Sequence, residues 1–260
     1  FVFVENNRVV ISSYSVYSSK IPPVFNNYKI ALITDFHNSN NVRKILEKVE
    51  DIKPQIIVIA GDMISMGDTD FKNAGDLTLG LKRIAPVYFT SGNHERWSSK
   101  EKEFLNYLSD KGAVILNSSA TELRIENEAI NLIGYRDIIY SDNAMRYDIL
   151  NSELKALYET VENKDLYNIL VFHRANYFDK VAQFPYDLVL SGHLHGGQVN
   201  LPVIKNKILE SRFQNTQYSK GYYRMNNTQM IVSAGLEKNY KYPRLFNPTE
   251  VVEVSLKYLK

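Results

Sequence analysis

Five histidines, at positions 37, 94, 173, 193 and 195, set the chemistry this 260-residue chain can do. Each falls at or just past the C-terminal end of a predicted buried strand. In α/β sheets, ligands and active sites gather in the crevice outside the carboxyl ends of the strands. Carboxylates and an amide fall in step. Asp35 stands two residues before His37 in "TDFHN", Asp62 follows Gly61, and Asn93 and His94 follow Gly92. His193 and His195, in "SGHLHGG", are also two apart, and in extended chain that spacing projects both side chains to one side. Gly196 and Gly197 behind them keep the backbone free of bulk, so something can sit close. A single histidine at a strand end is ordinarily a satisfied structural residue. All five at strand ends are better explained by a shared site. If the strands lie side by side, two aspartates, an asparagine and several imidazoles converge on one volume. That set exceeds what one tetrahedral zinc needs. It suits two divalent ions about 3.5–4 Å apart with a carboxylate between them. Without a cation, such crowding would cost several kcal/mol in desolvation and repulsion.

The elements that must position these residues follow from hydrophobic periodicity. "FVFVENNRVVISSYSVYS" predicts two strands around an Asn6-Asn7 turn. "YKIALITD" and "QIIVIAGD" predict buried strands that stop at Asp35 and Asp62, and "PVYFTSGNHE" a third strand running into polar residues. "VRKILEKVEDI" has helical spacing ended by Pro54, and a second helix is expected from about Thr69 to Ile84. Ser98 to Glu101 has capping-box spacing and opens a third helix that Gly112 closes. Strands in "AVILN", "TELRI" and "INLIGY" follow, then a helix in "SELKALYETVE". "YNILVFH" and "DLVLSGH" are buried strands ending at His173 and His193. Asn226-Asn227 turns a late hairpin, and "VVEVSLKYL" predicts a final half-exposed strand. Alternating strands and helices give an α/β core, with hairpins at both ends adding antiparallel strands. One domain spans 1–260: N-terminal strands over 1–27, a motif-bearing core over 28–197, and C-terminal strands and rim over 198–260. The irregular stretch from about Leu201 to Lys220 is expected to form part of a pocket rim.

Composition narrows the chemistry further. Hydrophobic content of 44% and charged content of 23% are those of a soluble globular protein. A net charge of +2, from 31 basic and 29 acidic residues, is too small to argue for nucleic acid or an anionic membrane as a partner, and no basic stripe with interleaved aromatics supports nucleic acid. No cysteine is present, so disulfides, thiolate catalysis and thiolate-ligated zinc are excluded. No apolar run reaches the roughly 18 residues of a membrane span. The chain begins at Phe1, which leads us to expect a trimmed or processed form whose preceding anchor or signal is absent.

"TDFHN", "GDMIS", "GNHE", "FH" at 172–173 and "SGHLHGG" together resemble the five blocks of the calcineurin-like metallophosphoesterases. Single blocks are weak, but all five in order are specific. The tail "GLEKNYKYPRLFNPTEVVEVSL" further resembles a bacterial subgroup often anchored to the membrane by an N-terminal helix. The resemblance implies a four-layer αββα sandwich, two mixed β-sheets flanked by helices. It implies that Asp35, His37 and His195 hold one metal and Asn93, His173 and His193 the other, with Asp62 bridging. His94, in that pattern, stands over the substrate phosphate, with Asn93 near a phosphate oxygen. His173 is followed by Arg174-Ala175 where relatives often carry a proline two residues on, a departure that concerns loop shape.

The chemistry so implied is hydrolysis of a phosphomonoester, phosphodiester or pyrophosphate by a hydroxide shared between two cations, manganese, iron or zinc. His94 would act as general acid to the leaving group. Glu95 would orient that imidazole or its loop. Arg96, Trp97 and Arg174 follow motif residues closely enough to form a substrate rim, whereas Arg244 would fix the C-terminal segment. The anchored relatives point to a lipid-linked or cell-envelope phosphoester. The rival reading is a metal-binding or interaction scaffold without turnover. Ser191 beside Gly192 lacks the GxSxG setting of a nucleophilic serine.

Overall fold

The computed structural model describes residues 7–137, 146–198, 217–238 and 244–260. The first strand of the expected N-terminal hairpin and most of the expected rim stretch lie outside these residues.

Two six-stranded mixed sheets face each other. The first contains β1 (Val9–Ser18), β2 (Lys29–Ile33), β3 (Ile56–Ala60), β4 (Val87–Thr90), β5 (Ala113–Ile115) and β12 (Thr249–Tyr258), in the order β1-β12-β2-β3-β4-β5. The second contains β6 (Ser119–Ile125), β7 (Glu128–Gly134), β8 (Tyr167–Arg174), β9 (Leu188–Gly192), β10 (Gly221–Met225) and β11 (Thr228–Val232), in the order β10-β11-β9-β8-β7-β6. Helices α1 (Val42–Ile52), α2 (Lys72–Ile84), the short α3 (Asn93–Trp97) and α4 (Glu101–Asp110) belong to the first half. Helices α5 (Arg146–Glu159) and α6 (Phe178–Val181) belong to the second.

Strand alternation builds the layers. In β2, Ala31 and Ile33 join Ile45 and Val49 of α1 and Leu77 and Leu81 of α2 in an outer core. Ile30 and Leu32, pointing the other way, meet Val171, Leu188 and Leu190 in the core between the sheets. On the far side, Leu170, Phe172 and Val189 pack on Leu150, Leu154 and Leu157 of α5. Three apolar cores therefore separate four layers, helix, sheet, sheet, helix, as the resemblance implied.

Several elements differ from expectation. The last strand, β12, is buried on both faces rather than half-exposed, because it runs parallel to β1 and antiparallel to β2 inside the first sheet. Its alternation sorts residues between two cores, Val251 outward and Val252, Val254 and Leu256 inward. Among the described residues β1 pairs only with β12, and it does so in parallel, not as a hairpin arm. The expected capping box at Ser98 does not form: the Ser98 hydroxyl accepts the Lys100 N–H at 3.2 Å and α4 starts at Glu101. A reciprocal half of such a box occurs one helix earlier, where the Glu95 carboxylate accepts the Gly92 N–H at 2.8 Å and opens α3.

Candidate metal centre

The parallel strands β2, β3, β4, β8 and β9 all end on one rim; His173 is the next-to-last residue of β8, and the other motif residues lie within a few positions past the ends of their strands. The loops after β2 and β3 continue side by side. Asp35 N–H donates to Gly61 O and His37 N–H to Asp62 O, each at 3.0 Å. The backbone then turns sharply. Asp35 (φ 51°), His37 (46°), Asp62 (54°), His193 (79°) and His195 (48°) all adopt left-handed conformations. Each such residue costs about 1–3 kcal/mol and is kept only where its surroundings over-determine it. This corrects the strand-alternation argument for His193 and His195. Both lie past the end of β9 in left-handed backbone, and they diverge to different partners.

Donor atoms fall into three overlapping groups, each within 4.8 Å: Asp35, His37 and His195; His37, Asp62 and His94; and Asp62, His173 and His193. Asp62 reaches both halves, its Oδ2 lying 3.0 Å from His173 Nε2 and 3.9 Å from His37 Nε2. Asp35 Oδ1 lies 3.5 Å from His195 Nε2 and 3.9 Å from His173 Nε2. The Asp35 carboxylate also accepts the His193 N–H at 3.0 Å and the Thr34 hydroxyl. Asn93 is buried and its Oδ1 has no hydrogen-bond partner.

The electrostatics is that of buried imidazoles crowded against two carboxylates. Burial drives the His37 imidazole down to about 4 and, with Arg174 and His173 beside it, holds His193 well below the usual histidine range. At His173 burial is outweighed by Asp62 and Asp35, and the imidazole rises to about 10. Asp62, held well below the usual carboxylate range against its burial by His173, is its counter-charge. Buried His37 Nε2 and Asn93 Oδ1 are left without hydrogen-bond partners. Native interiors rarely tolerate such atoms. Carboxylate, amide and imidazole donors of this kind fit divalent transition metals, and these residues fit the pair of cations that the motifs imply.

The His94 imidazole is tied to the backbone of the neighbouring loop. Its Nδ1 accepts the Met66 N–H at 3.1 Å, and the His94 backbone N–H donates to Asp62 Oδ1 at 2.8 Å. Glu95 is fully buried and does not touch that imidazole. It accepts four backbone N–H groups, from Asp62 (2.9 Å), Met63 (2.7 Å), Ile64 (3.2 Å) and Gly92 (2.8 Å), so it fixes the two loops that carry Asp62 and Asn93.

The three rim residues divide. Trp97 is 47% exposed, with its ring 5.6 Å from that of His94 and 5.7 Å from the Arg174 guanidinium. Arg174 is not solvated. Its Nε donates to Asp137 Oδ2 at 2.7 Å, a pair exposed only 13% and 4%. Arg96 faces away from the metal donors, donating to the Asp137 carbonyl at 2.6 Å and to Glu101.

Sequence reasoning passed over a supporting set. Glu237 Oε2 lies 3.1 Å from His195 Nδ1. Asn247 Nδ2 donates to His195 O at 2.7 Å, and its side chain fills the space beside Gly196. Gly235 (φ 72°) passes so close to Asp35 that an added Cβ would sit 2.6 Å from the Asp35 Cβ. Arg244, expected to fix the C-terminal segment, is buried, with Nε and Nη2 donating to the carbonyls of Glu237 (3.0 Å) and Ala234 (2.7 Å). Nothing in the local spacing of "GLEKNYKYPRLFNP" signalled the roles of Glu237 and Asn247.

The calcineurin-like phosphoesterase pattern matches residues 28–197, the segment that supplies every strand-end donor described above. The chain belongs to the calcineurin-like phosphoesterase family. One relative, a Caenorhabditis elegans protein with a metallophosphoesterase name, is 28% identical over 95% of this chain, which spans 52% of that protein's length. Phosphodiesterase YaeI of Escherichia coli is 26% identical over 68% of the chain and 64% of its own length. A crystal structure from Thermus thermophilus superposes with a TM-score of 0.51 at 14% identity, covering 80% of this chain and 90% of that one, which shows the shared fold. Family membership makes this chain a metallophosphoesterase with His and Asp metal-binding groups.

Proposed function

We propose that the chain hydrolyses a phosphoester at a two-cation centre. Asp35, His37 and His195 hold one cation, Asn93, His173 and His193 the other, and Asp62 lies between them. The observation that carries this reading is Asp62, whose single carboxylate oxygen faces imidazoles of both donor groups. Manganese, iron and zinc all suit the mixed donors. When bound, such cations make water nucleophilic near neutral pH and neutralise charge on the phosphate.

The remaining steps belong to the protein. With Nδ1 of His94 occupied as an acceptor, a neutral imidazole carries its proton on Nε2. That tautomer presents an N–H donor to the departing oxygen; as general acid His94 takes a further proton on Nδ1, releasing the Met66 N–H, and passes its Nε2 proton to the leaving group. The Met66 N–H and Asp62 anchor this loop, which keeps the tautomer fixed between turnovers. Trp97 stands between His94 and Arg174, and on this reading Trp97 and Arg174 would meet the leaving group. Phosphodiesters are the first substrates to try, in keeping with the name of the Escherichia coli relative. Lipid-linked and cell-envelope phosphoesters follow, as the resemblance implied.

The test is hydrolysis of bis(p-nitrophenyl) phosphate by chelator-stripped protein, before and after Mn²⁺, Fe²⁺ or Zn²⁺ is added. Turnover that appears only with metal supports the proposal. No turnover of mono- or diester with any of the three cations would favour a scaffold that binds metal without reaction.

A further inference from the structure

His195 is gripped at two points by residues far away in the chain. Asn247 holds its carbonyl, and Glu237 lies on the Nδ1 side of its ring, opposite the Nε2 that faces Asp35. The segment that brings Glu237 is itself pinned to the site. Leu236 N–H donates to the carbonyls of Thr34 and Asp35, each at 3.1 Å. Arg244 ties the Ala234 and Glu237 carbonyls together from below. A carboxylate so delivered has little freedom to be anywhere else. An ionised carboxylate has no proton to give, so it can only accept a hydrogen bond.

We propose that Glu237 is a positioning residue that accepts a hydrogen bond from His195 Nδ1–H and thereby turns the Nε2 lone pair towards Asp35 and His37. A neutral imidazole has one N–H, so fixing it on Nδ1 leaves Nε2 as the only lone pair able to bind a cation. In the structure the two atoms stand 3.1 Å apart. The proposal rests on the two-cation reading above and adds a residue to it. Partners of this kind are worth about 10–100-fold in metal affinity.

The test is Mn²⁺ titration of the chelator-stripped full chain by calorimetry and electron paramagnetic resonance, for wild type, Glu237→Ala and Glu237→Gln. Glu237→Ala is expected to weaken one of two bound equivalents by about 10–100-fold and to leave the other unchanged. Glu237→Gln keeps an acceptor oxygen and is expected to recover most of that loss. Nitrogen-15 spectra of the chelator-stripped protein should show the Nδ1–H tautomer of His195 enriched in wild type and Glu237→Gln over Glu237→Ala, since without a cation on Nε2 only the partner of Nδ1 fixes that proton. Two equivalents bound by Glu237→Ala as tightly as by wild type would overturn the positioning role alone. A Glu237→Gln variant as weak as Glu237→Ala would also overturn it, since charge rather than an acceptor would then matter. Failure of the wild type to bind any cation would overturn the two-cation reading along with it.

Discussion

Replacing Glu95 by glutamine separates two descriptions of the carboxyl beneath the site. Burial, with Asp62 nearby, pushes the Glu95 carboxyl up to about 8, while the four N–H groups aimed at it all favour the carboxylate. One oxygen accepts the Met63 and Ile64 N–H groups and the other accepts those of Asp62 and Gly92. A carboxylate fills all four roles. A glutamine amide cannot, because either way round its NH₂ faces two backbone donors. Each buried donor left unmatched costs about 1–3 kcal/mol. Two such donors put the loss at about 2–6 kcal/mol, a large share of the roughly 5–15 kcal/mol that holds a domain folded. Urea unfolding in buffer with chelator measures it, so that any change in metal affinity stays out of the comparison. Glu95→Gln within about 0.5 kcal/mol of wild type would refute the reasoning. The residue would then be a neutral acid in the fold, and the N–H cluster would not be what shapes the loops.

Three further outcomes follow from the same geometry. Gly235→Ala places a methyl against Asp35 at a left-handed position, so it should cost at least about 1–3 kcal/mol in urea and lower the Mn²⁺ bound per chain. Arg174→Ala leaves Asp137 buried without its partner and should destabilise by about 3–5 kcal/mol, whereas the apolar pair Arg174→Met with Asp137→Leu should recover most of that in thermal unfolding. His94→Gln should lower turnover of an alkyl phosphodiester by about 10²–10⁴-fold, with a smaller loss on p-nitrophenyl esters and unchanged metal content. Equal losses on both leaving groups would remove the acid role.

Local physics made much of the scaffold legible. The helix read from Val42 to Ile52 has those ends in the structure, since its apolar spacing and the following Pro54 lie within the segment itself. The Asn226-Asn227 hairpin is likewise local, with Met225 paired to Thr228 across it. Short α3 was hidden because Glu95, which opens it, also serves Asp62 across the fold. The last strand was misjudged for a related reason. Alternation in β12 was read as one wet face, and only the placement of β12 between β1 and β2 supplies a second core to cover it.

By itself the sequence determined which donors exist and that they sit at strand ends, because buried strands and the polar residues that stop them are written in consecutive positions. It could not decide which donors share a cation. His193 and His195 are two apart, yet they go to different groups, and left-handed backbone rather than strand alternation sends them there. Nor could it place Glu237, Asn247 and Arg244 beneath His195, since those contacts join segments that are distant in the chain. Donor identity is a property of single residues. Their grouping, strain and support are properties of contacts between loops, and those exist only once both sheets have assembled.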